Sequence, residues 1–295
     1  MSTHFDTIMV KINKASPQDN AFLNPLCFVA KQPNSLHYIG TLPAERHLTI
    51  AIVGTRKPSS YGKEVTKALA EGLARRGVVI VSGLALGIDA IAHSAALDAK
   101  GTTIAVLANG LPNIYPATNR QLGEKMVASG GAIISEYEPH SSAKAYQFLA
   151  RNRLVSGLSD AVIITEAAAR SGTLNTAAHA LEQGKDVYVV PGNITSPLSA
   201  GCNALIAQGA TPITSVDEFI AQFVPTSMPA SSQLTLFAAN PEEERIILLL
   251  NKGIRDGDEL QAASGLDAQT FSLTLTMLEL NGHIQNHGAN MWSLK

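Results

Sequence analysis

Six short apolar runs, each ending at a Gly, Ser, Asn, Pro or acidic residue, set the strongest constraint on how this chain folds. They are Leu48–Val53 before Gly54, Val78–Val81 before Ser82-Gly83, Thr103–Leu107 near Asn109-Gly110, Ala132–Ser135 before Glu136, Ala161–Thr165 before Glu166, and Val187–Val190 before Pro191-Gly192. The runs are apolar throughout rather than alternating, which predicts strands buried on both faces, the habit of parallel sheets. Helical stretches separate them: Tyr61–Arg76, with Val65, Leu69 and Leu73 on one face, then Ile88–Lys100, Asn119–Ala128, Ala143–Leu158, Thr173–Gln183 and Asn203–Gln208. Strands alternating with helices imply βαβ units. The expected fold class is α/β, a doubly wound, mostly parallel, Rossmann-like sheet over residues 49–222. Residues 1–48 read as a short lead-in that packs on this core.

Composition excludes several classes. Hydrophobic residues make up 45% and charged residues 16% of the 295, with a mean hydropathy of +0.11, which is globular rather than disordered. Lys and Arg number 22 against 24 Asp and Glu, a net charge of −2. A strongly basic DNA-coating protein is excluded, but a localised anion site is not. Two cysteines, Cys27 and Cys202, are too few for a disulfide framework or a Cys-rich zinc site. No metal or nucleotide cofactor is expected. The first residues lack a basic segment followed by an apolar one, and no apolar run approaches the ~20 residues of a membrane span. A cytoplasmic protein without a signal peptide is the expectation.

Residues 223–240 carry Pro225, Pro229, Ser227, Ser231 and Ser232 without a periodic apolar face, and read as a linker. A second unit follows over 241–295. Pro241 opens a helix with Glu242, Glu243 and Glu244 in its first turn, and Gly253 stops it. Asp258–Ser264 is a second helix. Ala268–Leu280 is a third, with Phe271, Leu275 and Leu278 on one face and Gly282 as its stop. Ile284–Asn286 and Met291–Leu294 around a turn complete a winged-helix-like module. From residue 240 onward, four basic residues face eight acidic ones, and the third helix holds no Lys or Arg. A duplex reader needs donors for phosphates and base edges. A protein-contact role is therefore expected for this module, with any DNA site in the larger domain.

The loops after the strands carry the chemistry. In an open α/β sheet, ligands bind at the carboxyl ends of the strands, and a helix start there favours phosphate. Gly54-Thr55-Arg56-Lys57-Pro58-Ser59-Ser60 offers the forked donor of Arg56 and the hydroxyls of Ser59 and Ser60. Gly83 and Gly87 permit close backbone approach after the second run. Asp89 and His93 there are either an i,i+4 acid–base pair or, more simply, an acid holding the loop and a packed histidine. Ser171-Gly172-Thr173 forms a third cradle, and Pro191-Gly192-Asn193 with Ser199–Asn203 a fourth loop. Phe148-Leu149-Ala150-Arg151-Asn152-Arg153, with Lys144 and Tyr146 nearby, combines cations with stacking platforms. On a helix Arg151 and Arg153 point about 200° apart, so one of them could instead hold an internal carboxylate such as Glu166 or Glu136. Neither glycine segment is a dinucleotide fingerprint or a Walker loop.

Taken together these residues resemble the bacterial DNA-processing protein A (DprA/Smf) family. The resemblance rests on Ala51–Arg56 with Ser59 and Tyr61-Gly62, Val81–Ala85 with Gly87-Ile88-Asp89 and Ala92-His93, Tyr115-Pro116, Ser135-Glu136, Arg151-Asn152-Arg153 with Gly157-Leu158, Glu166 with Ser171-Gly172, Thr176-Ala177, Pro191-Gly192, and Gly201-Cys202-Asn203 with Gly209-Ala210. It implies binding of single-stranded DNA in natural transformation, delivery of the strand to the RecA recombinase, and a homodimer. It also implies a DNA or phosphate site at Gly54, Thr55, Arg56, Ser59, Ser60, Gly83, Lys144, Phe148, Arg151, Arg153, Ser171, Gly172 and Thr173, with no catalytic residue. Departures from the family pattern are Leu149 in place of a usual proline, Asn175 in place of an apolar residue, and an N-terminal segment too short for the extra helical domain of many relatives. The enzymatic alternative is a nucleoside monophosphate phosphoribohydrolase with Glu166 as acid, although the P-G-G-x-G-T-x-x-E signature is missing. A third reading, a duplex-binding regulator, is disfavoured by the acidic second unit.

Overall fold

The computed structural model describes residues 11–223, 241–251, 254–281, 284–286 and 290–294. The chain divides into two compact units, Met1–Pro225 and Thr226–Lys295. The expected linker, the helix stops at Gly253 and Gly282, most of the hairpin turn and the first ten residues of the lead-in lie outside the described residues.

In the first unit, described strands β1 (Asn13–Ala15), β2 (Leu36–Gly40), β3 (Thr49–Val53), β4 (Val79–Ser82), β5 (Thr103–Leu107), β6 (Ala132–Ser135), β7 (Ala161–Ile164), β8 (Asp186–Val189) and β9 (Thr211–Pro212) form one sheet. Their order is β1-β2-β6-β5-β4-β3-β7-β8-β9. Pairing is parallel from β6 through β9, while β1 and β2 add antiparallel at the β6 edge. The chain winds outward from β3 to β6, then crosses back to place β7 on the other side of β3. Helices α1 (Ser60–Ala74), α2 (Ile88–Asp98), α3 (Arg120–Ala128), α4 (Ala145–Gly157), α5 (Thr173–Glu182), α6 (Ala200–Ala207) and α7 (Val216–Phe223) connect or follow the strands.

The unbroken apolar runs are explained by two cores. Ile50 and Ile52 face α1, α2 and α7, packing with Leu69, Leu73, Ala92 and Ile220. Ala51 and Val53 face the opposite side, with Leu154 of α4 and Leu158 at its C-terminal cap, Ala177 of α5 and Cys202 of α6. Because side chains alternate along a strand, a run with both faces covered must be apolar at every position. Phe22, Leu23 and Leu26, all fully buried, join the second core. The segment 11–40 thus supplies two strands as well as core side chains. The weak lead-in pattern did not announce those strands, nor β9 and α7.

The second unit holds helices α8 (Pro241–Asn251), α9 (Gly257–Ser264) and α10 (Ala268–Leu280), followed by the antiparallel pair β10 (Ile284–Asn286) and β11 (Trp292–Leu294). Asp256 caps α9 by accepting from the N–H groups of Asp258 and Glu259, and Asp267 caps α10 through those of Gln269 and Thr270. Ile246, Ile247 and Leu250 of α8 pack with Leu260, Phe271, Leu275, Leu278 and Trp292. Three helices and a short hairpin make the winged-helix arrangement. No described helix is long and apolar enough to cross a membrane.

One buried histidine gives this fold a pH dependence. His93 on α2 is fully buried, with Nδ1 2.6 Å from the Thr103 hydroxyl. That hydroxyl donates its own proton to the Ile80 carbonyl at 2.8 Å, so Nδ1–H of a neutral imidazole is the donor to Thr103. Burial, with the Arg151 charge adding to it, pulls the pKa of His93 down to about 3. The unfolded chain therefore takes up a proton here before the folded one does. Stability from this site is complete above the ordinary histidine pKa of about 6.5 and drains as pH falls toward about 3, at roughly 1.4 kcal/mol per pH unit. Relative to His93→Asn, which keeps a donor toward Thr103 but cannot titrate, the wild-type urea midpoint should drop between about pH 7 and pH 5. Parallel midpoints in the two proteins would refute it.

Candidate functional site

The winding reverses between β3 and β7, and ligands of such sheets bind outside the carboxyl ends of the strands at that reversal. A cleft of about 590 Å³ opens there, between the loops after β3, β4 and β7 and the first half of α4. Gly54, Thr55, Arg56 and Lys57 form one wall, Ser171, Gly172 and Thr173 another, and Phe148, Leu149, Arg151 and Asn152 of α4 line it from a third side.

Glu166 clamps both ends of the β3 loop. Its backbone carbonyl accepts the Thr55 N–H at 2.8 Å, and its carboxylate accepts the Ser59 N–H at 2.8 Å and the Ser59 hydroxyl at 2.7 Å. The same Ser59 oxygen accepts the Gly62 N–H and caps α1. Between the clamped ends, Arg56 and Lys57 stand exposed. The Arg56 guanidinium carbon lies 5.6 Å from the centre of the Phe148 ring, a cation–π approach. Opposite, the Ser171 hydroxyl donates to Thr173, and the Thr173 hydroxyl donates to the Gly54 carbonyl at 3.0 Å. The backbone N–H groups of Arg56 and Gly172 have no acceptor among the described residues, leaving donors of the kind an anion needs.

Below this wall sits a buried charge. Arg151 is 5% exposed and donates through Nη1 to the carbonyls of Gly83, at 2.8 Å, and Val106. Asp89, also buried, accepts the N–H groups of Gly83 at 3.1 Å and Ala85 at 3.4 Å. Burial pushes the Asp89 carboxyl up, against the nearby Arg151 charge, which lowers it. Burial likewise lowers the Arg151 guanidinium, and Asp89 raises it. Gly83 makes room for this seat, because a Cβ at that position would stand 2.5 Å from both terminal nitrogens of Arg151 and the guanidinium would have to shift. Gly87 has φ +80° and its Cβ would collide with the Thr55 carbonyl and the Arg56 backbone.

The structure sorts the expected site residues. Gly54, Thr55, Arg56, Phe148, Ser171, Gly172 and Thr173 meet at the cleft, and Arg151 reaches it with its guanidinium committed inward. Gly83 is buried beneath it as the seat of Arg151. Arg153 corrects the expectation of a strand-facing cation. It is 8% exposed and donates to Glu136 at 2.6 Å and to the Lys31 carbonyl at 2.7 Å, because the helical turn aims it away from Arg151. Ser59 is likewise spent on Glu166. Ser60 and Lys144 are exposed but do not line the cleft. Asp89 holds the loop rather than pairing with His93. In the fourth loop, Asn203 donates to the Gly192 carbonyl at 3.0 Å, and Leu198 alone reaches the cleft. The departures are accommodated locally. Asn175 accepts from the Asn152 amide at 3.3 Å, and Leu149 lies half-exposed 3.9 Å from where a Gly172 Cβ would stand. Sequence reasoning did not single out Lys57, Asn152 or Thr176 as cleft residues; Lys57 is marked only by its place in the β3 loop, and Asn152 and Thr176 stand in the helices α4 and α5, where only the fold shows which side faces the cleft.

Burial also settles the thiol at the back of this loop cluster. The Cys202 pKa is pushed up to about 11 by desolvation, so the group remains a thiol, aimed at the Ile164 carbonyl.

The family model described as DNA recombination-mediator protein A matches residues 14–224, and the DprA winged helix domain matches residues 227–290. The chain belongs to the DNA recombination-mediator protein A family. Protein Smf of Escherichia coli (strain K12) is 38% identical over 276 residues, spanning 91% of this chain and 74% of that protein. DNA processing protein DprA of Bacillus subtilis (strain 168) is 46% identical over 169 residues, which is 57% of each chain. Among solved structures, DNA processing protein A from Streptococcus pneumoniae superposes with a TM-score of 0.66 at 39% identity, covering 72% of this chain and 74% of that one. DNA processing protein A from Helicobacter pylori, in a structure reported for its single-stranded DNA binding mode, gives 0.64 at 35% identity, covering 74% and 96%.

In this member of the DNA recombination-mediator protein A family, the seat of Arg151 is testable. Gly83→Ala should lower the denaturant midpoint by about 1–3 kcal/mol equivalent, because the new methyl displaces the guanidinium. Gly172→Ala, with φ −59° and its nearest neighbour at 3.9 Å, should stay within about 1 kcal/mol of wild type. Equal midpoints for the two variants would remove the packing argument.

Proposed function

We propose that the chain binds single-stranded DNA without sequence preference, and hands it to the RecA recombinase during DNA uptake, as a cytoplasmic homodimer. The observation that carries this reading is Arg56, exposed on a clamped loop at the sheet's reversal point and lying over the Phe148 ring. A phosphate would take Arg56, Lys57 and the free N–H groups of Arg56 and Gly172, with Ser171 and Thr173 bracing the opposite wall. Family membership supports it, as does the single-stranded DNA binding reported for the Helicobacter pylori relative. Gly54, Thr55 and Gly83 shape the pocket, and Arg151 positions it from below. Arg153 belongs to the scaffold.

In this reading Glu166 is a loop clamp, not a general acid. Both of its carboxylate oxygens already accept from Ser59. The second unit contributes by contact with protein, since α10 presents Leu273, Met277 and Leu280 at its surface and no cation.

The test is fluorescence anisotropy with equal-length single-stranded and duplex oligonucleotides over a salt series. Wild type should prefer the single strand, with log affinity falling linearly in log salt at roughly −0.7 per phosphate contacted. Arg56→Ala should weaken binding about 10- to 100-fold and flatten the slope by about one contact. Arg153→Met should leave the slope unchanged, whatever it costs in stability. A wild type without single-strand preference, or an Arg56→Ala variant that binds normally, sinks the proposal.

A further inference from the structure

Tyr115 is an exposed aromatic that the strand-binding reading leaves unused. It lies in the loop after β5 and is 55% exposed. Its ring centre is 5.7 Å from that of Phe148, with the planes inclined at 56°. The Arg56 guanidinium lies 5.6 Å from the same Phe148 ring. Arg56, Phe148 and Tyr115 therefore form a continuous row leading from the loop after β3, past β4, to the loop after β5. We propose that Tyr115 is a base-stacking platform, and that a single strand leaves the phosphate cleft along this row toward the β5–β6 side of the sheet. The inference rests on the strand-binding reading and adds a direction and a second class of contact to it.

Three observations support the assignment. A 5.7 Å centroid separation is a direct aromatic contact, so no base fits between the two rings. The surface left for a base is the solvent-facing side of Tyr115, with Phe148 fixing the ring from behind. The loop that presents Tyr115 is braced from inside. Buried Asn109 donates to the Gly110 carbonyl at 3.1 Å and the Asn113 carbonyl at 2.7 Å, and Ile114 packs into the core under β5. A ring held in place before binding loses little freedom when a base covers it. On the opposite side the exposed aromatic is Tyr61, 48% exposed, whose hydroxyl donates to the Pro191 carbonyl at 3.0 Å and whose ring has no aromatic partner among the described residues. The loop after β8, residues 191–199, contains no aromatic residue and no Lys or Arg, and its most exposed apolar side chain is Ile194 at 89%. On the chosen side, the first turn of α4 adds Tyr146, 64% exposed, with exposed Lys144 just ahead of it.

A stacked base must be free of its partner strand, so Tyr115 would also contribute to the preference for single strands. Stacking is tolerant of sequence because every base has a π-face.

The experiment compares two oligonucleotides of one length, one fully base-bearing and one with a central abasic stretch, on the full chain at fixed salt. Tyr115→Ala should weaken the base-bearing strand about 5- to 100-fold, the range of one lost base–aromatic stack. It should leave the abasic strand and the salt slope near wild type. Tyr115→Phe should bind both strands as wild type does, since the ring remains. Tyr115→Ala binding both strands normally, or losing equally on both, overturns the stacking assignment while leaving the phosphate site in place. A wild type that binds neither strand overturns the strand-binding reading and this inference with it. The two failures are thereby distinguishable.

Discussion

The cleft depends on one buried guanidinium. Arg151 stands under the loops after β4 and β5 and ties the carbonyls of Gly83 and Val106 to α4. Gly83 follows the last residue of β4 and Val106 stands one residue before the end of β5, and buried acceptors without donors are costly. A planar fork with several donors can serve more than one at once. The charge this brings inside is balanced by Asp89, which in turn collects the N–H groups of Gly83 and Ala85. Carbonyl and amide of one glycine are thus claimed by two opposite charges, and the loop has little freedom left. Glu166 repeats the device for the loop after β3, gripping Thr55 with its backbone and Ser59 with its side chain.

This division of labour explains why cations so close in sequence do different work. Burying a charge is expensive unless partners compensate it. Arg151 and Arg153 have such partners and are part of the frame. Arg56 and Lys57 have no acidic partner among the described residues and stay in water, where an anion can reach them. The bulk charge of −2 obscures the pattern, because counting cannot tell a structural guanidinium from one offered to a ligand. What counts is which guanidiniums remain free at the reversal point of the sheet. The Phe148 ring keeps Arg56 over the cleft without consuming any of its N–H donors, since a π-face attracts the cation and leaves its edge hydrogens available.

Much of this was legible in the residues. The six apolar runs mark strands because both faces of the sheet are covered, so every position from Ile50 to Val53 had to be apolar. The glycines and serines after those runs locate the ligand edge because parallel strands all end there. The antiparallel additions were less legible. Leu36–Gly40 mixes His37 and Tyr38 into a short run near the edge of the sheet, and three-residue Asn13–Ala15 has no apolar pattern at all. Their pairing comes from the long-range register of β2 on β6, which local sequence does not encode. The split between Arg151 and Arg153 was half legible. Helical geometry separates them by direction, and Glu136 was one of two carboxylates within reach of the argument, but only the folded chain brings Glu136 to Arg153. Tyr115 was visible as a residue of the family pattern, while its contact with Phe148 joins the loop after β5 to helix α4 more than thirty residues on and depends on the fold.

That order gives the site its polarity. A cleft at the reversal point has two exits, one over β4 and β5, the other over β7 and β8. Electrostatics alone does not choose strongly between them, because a phosphate chain follows any cation within a Debye length of about 8–10 Å. Aromatic surface is shorter in range, and under the proposed path a contacting pair of rings is what would choose. Phe148 and Tyr115 form a contacting pair on the β5 side, whereas Tyr61, beside the loop after β8, is tied to Pro191 and has no ring against it among the described residues. A strand held only by phosphates could slide in either direction. One whose bases rest on a fixed row of rings has a defined path across the sheet, while the absence of base-edge contacts in stacking keeps it indifferent to sequence. Directional and unselective binding are therefore compatible in the same groove, with the rigid Arg151 and Glu166 clamps holding the row in line.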